Sequence, residues 1–221
     1  MEAKGIIQDN EKMLARLCVS TALDKGADAV RITLNKTVQN NVSVLNSVID
    51  RISYNEDRSI SACIFANGSY GSFSTNRLEE EDLRSFIGQA IENVRLLAPD
   101  PCRSLPEKNS KATGCSKGDE LGLYDPAFLG LDQERRLKIA TEAADGTGTP
   151  VQGCIVEAVE AEYSDSCDDE YMVDSDGFEG RHIETRFGFC AETTVKDAGG
   201  NRYSGYWWDS SWKLDTMDID G

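Results

Sequence analysis

Residues 58–75, RSISACIFANGSYGSFST, decide the fold class. Ile60 to Phe65 is an apolar strand. Asn67-Gly68 is the dipeptide best suited to a tight hairpin, because both residues tolerate positive φ. Tyr70 to Ser74 then returns antiparallel. Upstream, Val30, Ile32 and Leu34 alternate with Arg31 and Thr33, as in a strand with one face buried. Val42 and Val44 continue the β character, and Val48 to Tyr54 resume it after Asn46-Ser47. Residues 28–75 therefore read as an antiparallel meander.

Two helices flank the meander. The first is expected between a cap at Asn10 and a stop at Gly26, with Leu14, Leu17, Cys18 and Ala22 at helical spacing. The second is expected to be capped by Thr75 or Asn76 and to carry Glu79, Glu80, Glu81 and Asp82 in its first turn, where the helix dipole favours negative charge. Leu83, Phe86, Ile87, Ala90, Val94 and Leu97 make its apolar stripe, and Pro99 ends it. One sheet with two helices is a two-layer unit, so residues 1–98 read as an N-terminal α+β domain.

Residues 99–150 change character. Four of the five prolines fall between 99 and 126, which marks a linker. Asp132 then caps a third helix with Leu137, Ala140 and Ala144 on one face, broken by Gly146 to Pro150. From 151 to 221 the chain turns β-rich. Ile155, Val159, Ala161 and Tyr163 form one side of a strand. Asp165-Ser166 reads as a turn, Tyr171-Met172-Val173 as a strand, and Asp176-Gly177 as a turn. His182 to Val195 and Tyr203 to Trp208 give two more strands around Ala198-Gly199-Gly200. No helix follows residue 151 to cover this sheet, so a second, incomplete β-rich domain is expected. The fold class is α+β.

Charge narrows the function. The 39 Asp and Glu outnumber the 23 Lys and Arg, giving a net charge of −16. Nucleic-acid binders gain affinity by neutralising phosphate with Lys and Arg. Direct nucleic-acid contact is therefore not expected, and the acidity serves solubility. The N-terminus has no apolar core or cleavage site of a signal peptide. No stretch approaches the roughly 20 apolar residues that span a bilayer. A cytoplasmic protein with no membrane contact is expected. Its seven cysteines (Cys18, Cys63, Cys102, Cys115, Cys154, Cys167 and Cys190) are widely spaced without a CxxC, so free thiols are the default. Cys18 and Cys63 read as small core residues. Cys102 and Cys115 lie in the polar linker.

No catalytic or metal site emerges. His182 is the single histidine. A zinc peptidase helix needs two His four apart with Glu beside the first, whereas here Glu184 follows by two. One His cannot supply three protein ligands, and His182 reads as a solvent-facing strand residue. Residues 151–180 hold ten acidic residues and no Lys or Arg. In the best calcium-loop frame Asp174, Asp176 and Gly177 fit, but Met172 and Ile183 occupy the first and twelfth positions, where an EF-hand requires oxygen ligands. Acidic turns and a solvated face explain the run better. There is no GxSxG, no GxxxxGK, and no motif that marks a triad serine. The sequons at Asn35, Asn41 and Asn67 are chance matches in a cytosolic chain. The aromatic cluster Tyr203, Tyr206, Trp207, Trp208 and Trp212 is read as core or subunit packing ahead of an exposed docking surface. Substrate-binding residues are not identifiable from the sequence.

The order of several motifs resembles the N-terminal half of the TldD/PmbA family, whose members are also called modulators of DNA gyrase. These motifs are GADAVRITL, RSISACIFANGSYGSFSTN, an acidic-capped helix ending LLAPDP, LYDPAFLGL before a helix, and EAEYSDSCDDEYMVDSDGFEG followed by a long strand and GYWW. The resemblance implies a protein about twice this length. TldD-type members carry an HExxxH zinc motif in the C-terminal half. PmbA-type members, also called TldE, lack it and pair with TldD in a cytosolic peptidase acting on small or unfolded peptides. Asp174 to Gly180 looks more like the PmbA branch. The resemblance therefore implies a non-zinc subunit or homologue, a homo- or hetero-oligomer with a TldD-type subunit, and peptide as substrate. It implies no cofactor in this chain, with zinc in the full-length protein or its partner. The alternatives are a TldD-type zinc peptidase whose HExxxH lies beyond residue 221, and a non-enzymatic regulator of a partner such as gyrase.

Overall fold

The computed structural model describes residues 4–111, 118–147 and 152–219. Helix α1 spans Asp9–Asp24, strand β1 Ala29–Leu45, β2 Val48–Ala66, β3 Ser69–Thr75 and α2 Glu80–Arg95. Helix α3 spans Gln133–Thr147, followed by β4 Cys154–Asp174, β5 Glu179–Asp197 and β6 Arg202–Ser211. The strands hydrogen-bond in the order β3-β2-β1-β4-β5-β6. The α+β class stands, and both β-rich regions belong to one six-stranded antiparallel sheet.

The turns behave as their chemistry dictates. Asn67 and Gly68 take φ of 54° and 75°, and Ile60 to Ala66 pair with Ser69 to Thr75. Asn46 and Ser47 take φ of 51° and 63°, closing a second two-residue hairpin of the twist-compatible kind. Strand β2 is continuous, so its two expected apolar segments are one element.

Helix α1 is capped by Gln8 rather than Asn10. Glu11 accepts from the Gln8 N–H at 2.8 Å, and a reciprocal bond completes a capping box. Helix α2 starts later than Thr75 or Asn76 allowed, with Glu79 as its N-cap. Thr75 instead accepts from the Arg77 N–H, closing a local turn. Helix α2 buries Leu83, Ile87, Ala90, Ile91 and Val94, while Leu97 lies past the helix end and is exposed. Asp132 caps α3 as expected, accepting from the Arg135 N–H at 2.8 Å. Of the helix breaker expected at Gly146 to Pro150, Gly146 and Thr147 still belong to α3, while residues 148–150, like Cys115, lie outside the described residues.

The chain forms two compact units that interleave in sequence. Unit 1 comprises residues 1–37, 57–121 and 168–183, and unit 2 comprises 38–56, 122–167 and 184–221. Each therefore draws on segments before and after residue 98. In unit 1, Cys18 and Ala22 of α1 and Leu83, Ile87 and Val94 of α2 pack with Val30, Ile32, Leu34, Ile60 and Ile64 of the sheet. Unit 2 buries Tyr163, Phe187, Phe128, Ile139 and Ala140. Helix α3 buries Ile139, Ala140, Ala143 and Ala144 in this unit, and its Arg136 pairs with Asp165 of β4.

The expected turn at Asp165-Ser166 is absent, because β4 runs unbroken from Cys154 to Asp174. Ala161, Tyr163, Asp165, Cys167, Asp169, Tyr171 and Val173 are all buried at every second position. Two aspartates occupy inward positions because cations meet them there. Arg136 of α3 donates to Asp165 at 2.7 Å, and Arg181 of β5 donates to Asp169 at 2.6 Å. A buried carboxylate is tolerable only when paired in this way.

Candidate functional site

A cavity of about 450 Å³ opens on unit 2, within the range of small-ligand pockets. Strand alternation builds it. The odd positions of β4 and β5 face the core, so Glu162, Ser164 and Ser166 of β4 and Arg186 of β5 lie on the opposite face. Gln39 and Asn41 of β1 and Ser53 and Asn55 of β2 join them, and Asn40 and Asp165 also border the space. Nearly every lining group is a carboxamide, a hydroxyl or a charge.

The two carboxylates are already engaged. Glu162 accepts from the Asn41 amide and lies 3.8 Å from Arg51. Asp165 accepts from Arg136, from Asn40 at 2.8 Å and from the Tyr163 hydroxyl at 3.0 Å. Burial, reinforced by the Asp165 charge, pushes the Tyr163 phenol well above its ordinary pKa, so it stays a neutral donor. Since an ionised carboxylate only accepts, Asn41 turns its NH₂ toward Glu162. Its Oδ1 is left buried with no hydrogen-bond partner.

Arg186 differs from the other charged groups. Its guanidinium lies 4.8 Å from the Trp212 ring centroid, a cation–π contact. It makes no ion pair among the described residues. The cavity can therefore take up a ligand that brings one negative charge together with donors and acceptors of the amide kind.

The sequence candidates fall elsewhere. His182 is an exposed β5 residue, as its strand pattern predicts, in an isolated bridge with Gly118. Asp174 is buried and bound by Lys111 at 2.6 Å, with Asp176 at 3.2 Å from the same ammonium. The acidic run is thus partly structural rather than a calcium loop or a wholly solvated face. Cys18 is buried, Cys63 half-buried and Cys102 exposed. The Asn41 amide donates to Glu162. The aromatic cluster is not core of this chain: Tyr206 is 72% exposed and Trp208 58% exposed on β6. Sequence reading missed Gln39, Asn41, Ser53, Asn55 and Arg186. The available signal was Gln39-Asn40-Asn41 inside a strand, where Asn is depleted.

The family model for PmbA/TldA metallopeptidase domain 1 matches residues 30–94. Metalloprotease PmbA of Escherichia coli O157:H7 is 24% identical over 147 residues, covering 65% of this chain and 32% of that protein. Residues 30–94 thus resemble the first domain of the PmbA/TldD family. A crystal structure from Bacteroides thetaiotaomicron, described as that of a candidate modulator of DNA gyrase, superimposes with a TM-score of 0.80 at 27% identity, over 98% of this chain and 48% of that one. A Thermotoga maritima protein of the same description has a TM-score of 0.72 at 14% identity, over 95% and 45%. TldE from Thermococcus kodakarensis has a TM-score of 0.65 at 16% identity, over 94% and 45%. The last two share the fold. The chain thus spans about half the length of its solved relatives and a third of its curated one.

A metallopeptidase name raises the question of zinc, which needs three converging protein ligands and an open position. Among the described residues no three His, Cys, Asp or Glu side chains converge in that way. The single histidine is exposed on a strand, and Asp165, Asp169 and Asp174 are held by Arg136, Arg181 and Lys111. The described residues do not offer the donor set of a catalytic zinc. No helix among the described residues is long and apolar enough to cross a membrane.

Proposed function

We propose that this chain is the N-terminal part of a PmbA/TldE-like protein, a non-zinc subunit or homologue that acts in cytoplasmic peptide proteolysis beside a TldD-type partner. One observation supports the reading: a match to PmbA/TldA metallopeptidase domain 1 in a chain whose described residues bring no three zinc donors together. Its part is then to present peptide, and the amide-rich cavity of unit 2 suits that task. Carboxamides and hydroxyls offer both donors and acceptors to a peptide backbone. The hydrolytic chemistry belongs to a zinc site supplied elsewhere.

The full-length protein, purified alone, is expected to lack stoichiometric zinc and to leave short peptides uncut. Addition of a TldD-type subunit is expected to produce a stable hetero-oligomer and cleavage. Stoichiometric zinc with activity in the protein alone would replace this reading by a TldD-type peptidase with its HExxxH beyond residue 221. The Bacteroides relative's description as a candidate gyrase modulator favours a second reading, a non-enzymatic regulator. Recovery of topoisomerase subunits from cytosol, with no effect of the protein on peptide cleavage, would select it.

A further inference from the structure

Among the charges that border the unit 2 cavity, Arg186 alone has no opposite charge bound to it. Glu162 is satisfied by Asn41 and Arg51, and Asp165 by Arg136, Asn40 and Tyr163. Arg186 instead rests on the Trp212 ring. A guanidinium held over a ring while making no ion pair keeps its N–H fork available, the group that matches a carboxylate bidentately. Its presence in a chain of net charge −16 sharpens the point. Long-range attraction of anions is excluded here, so an anion at this position must be recognised by contact.

A second observation is independent of the first. The Asn41 Oδ1 is buried and unpaired. Such an atom costs free energy until a donor reaches it. Gln39, Asn55 and Ser53 supply further neutral donors and acceptors around the same space. The cavity therefore asks for one carboxylate and at least one N–H donor in the same molecule.

We propose that this cavity is a carboxylate-anchoring subsite that holds the C-terminal end of a short peptide. Arg186 pairs with the terminal carboxylate, Trp212 fixes the plane of Arg186, and Asn41 Oδ1 accepts a peptide N–H. Only the identification of the ligand as peptide rests on the proteolytic reading above. The binding itself requires neither zinc nor a partner.

The test uses the full chain with N-acetyl-trialanine as the free acid and as its C-terminal amide, titrated by NMR at low salt. The free acid is expected to bind about ten-fold or more tightly than the amide, the loss that follows removal of a charge-assisted pair. Arg186→Gln is expected to abolish that preference while leaving the thermal melt unchanged, since Arg186 is exposed. Arg186→Lys keeps the charge without the fork and is expected to restore only part of the preference. Asn41→Leu is expected to weaken acid and amide alike. Equal affinity for acid and amide, no binding in the millimolar range, or acetate binding as tightly as the peptide acid would each overturn the proposal. None of these results depends on the reconstituted peptidase assay, so the two readings fail separately.

Discussion

Asp169 holds four hydrogen bonds on one buried carboxylate. The N–H groups of Ile6 and Ile7 donate at 2.9 Å each, and Arg181 donates through Nε at 2.8 Å and Nη2 at 2.6 Å. Asp169→Asn leaves the Arg181 guanidinium buried without its counter-charge, and is expected to cost about 3–5 kcal/mol in urea unfolding at unchanged slope. Arg84→Ala removes an ion pair with Glu80 that is exposed on both sides, and the same measurement is expected to show at most about 0.5 kcal/mol. Equal effects of the two would refute the assignment of Asp169 as a buried anchor. Asp174 gives the pH dependence. Burial alone would raise its pKa, but Lys111 and the N–H groups of Phe178 and Asp176 outweigh burial and hold it below the ordinary value of 3.8. The ionised form therefore binds better in the folded chain. This stabilisation is present above the unfolded pKa and is lost as pH falls through the lower folded one. The stability gap between parent and Lys111→Met is expected to stay level from about pH 5 to 8 and to shrink below about pH 4. A gap that persists undiminished into strong acid would sink the assignment.

Elements were legible wherever apolar residues set the period. Val30, Ile32 and Leu34, the α2 stripe and the Asn67-Gly68 hairpin all fall where their patterns put them. The continuity of β4 was not legible, although both its ends read as strand: Asp165 looks like a turn residue, and Asp169 a poor core residue, until Arg136 and Arg181 stand beside them, and those partners lie 29 and 12 residues away. The cavity was hidden for a related reason. Gln39, Asn55, Ser164 and Arg186 come together only through sheet register, and no local spacing links them. The hairpin between β1 and β2 supplies a prediction at this scale. Ser47 holds φ at 63° without the freedom of glycine, and a left-handed non-glycine residue costs about 1 kcal/mol. Ser47→Gly is expected to stabilise the chain by about that amount, raising Tm by roughly 2–4 °C at this size. A lower Tm would mean that the Ser47 side chain contributes more than its backbone costs.

At the scale of the whole molecule, charge and family name pull in different directions. Two solved relatives are described as candidate modulators of DNA gyrase, a DNA enzyme, yet this chain carries −16. Binding to a duplex is driven by release of condensed counterions as Lys and Arg neutralise phosphate. Here several cations are already committed: Arg136, Arg181 and Lys111 to buried aspartates, and Arg16, Arg84 and Arg202 to glutamates. Freeing any of them for phosphate would break an existing pair, and the remaining carboxylates would repel the strand. Fluorescence anisotropy of a labelled duplex is therefore expected to stay flat as this chain is added, even at about 50 mM salt, where nonspecific binders gain most. A rise in anisotropy that weakens linearly with log salt would show that a local cationic surface outweighs the net field.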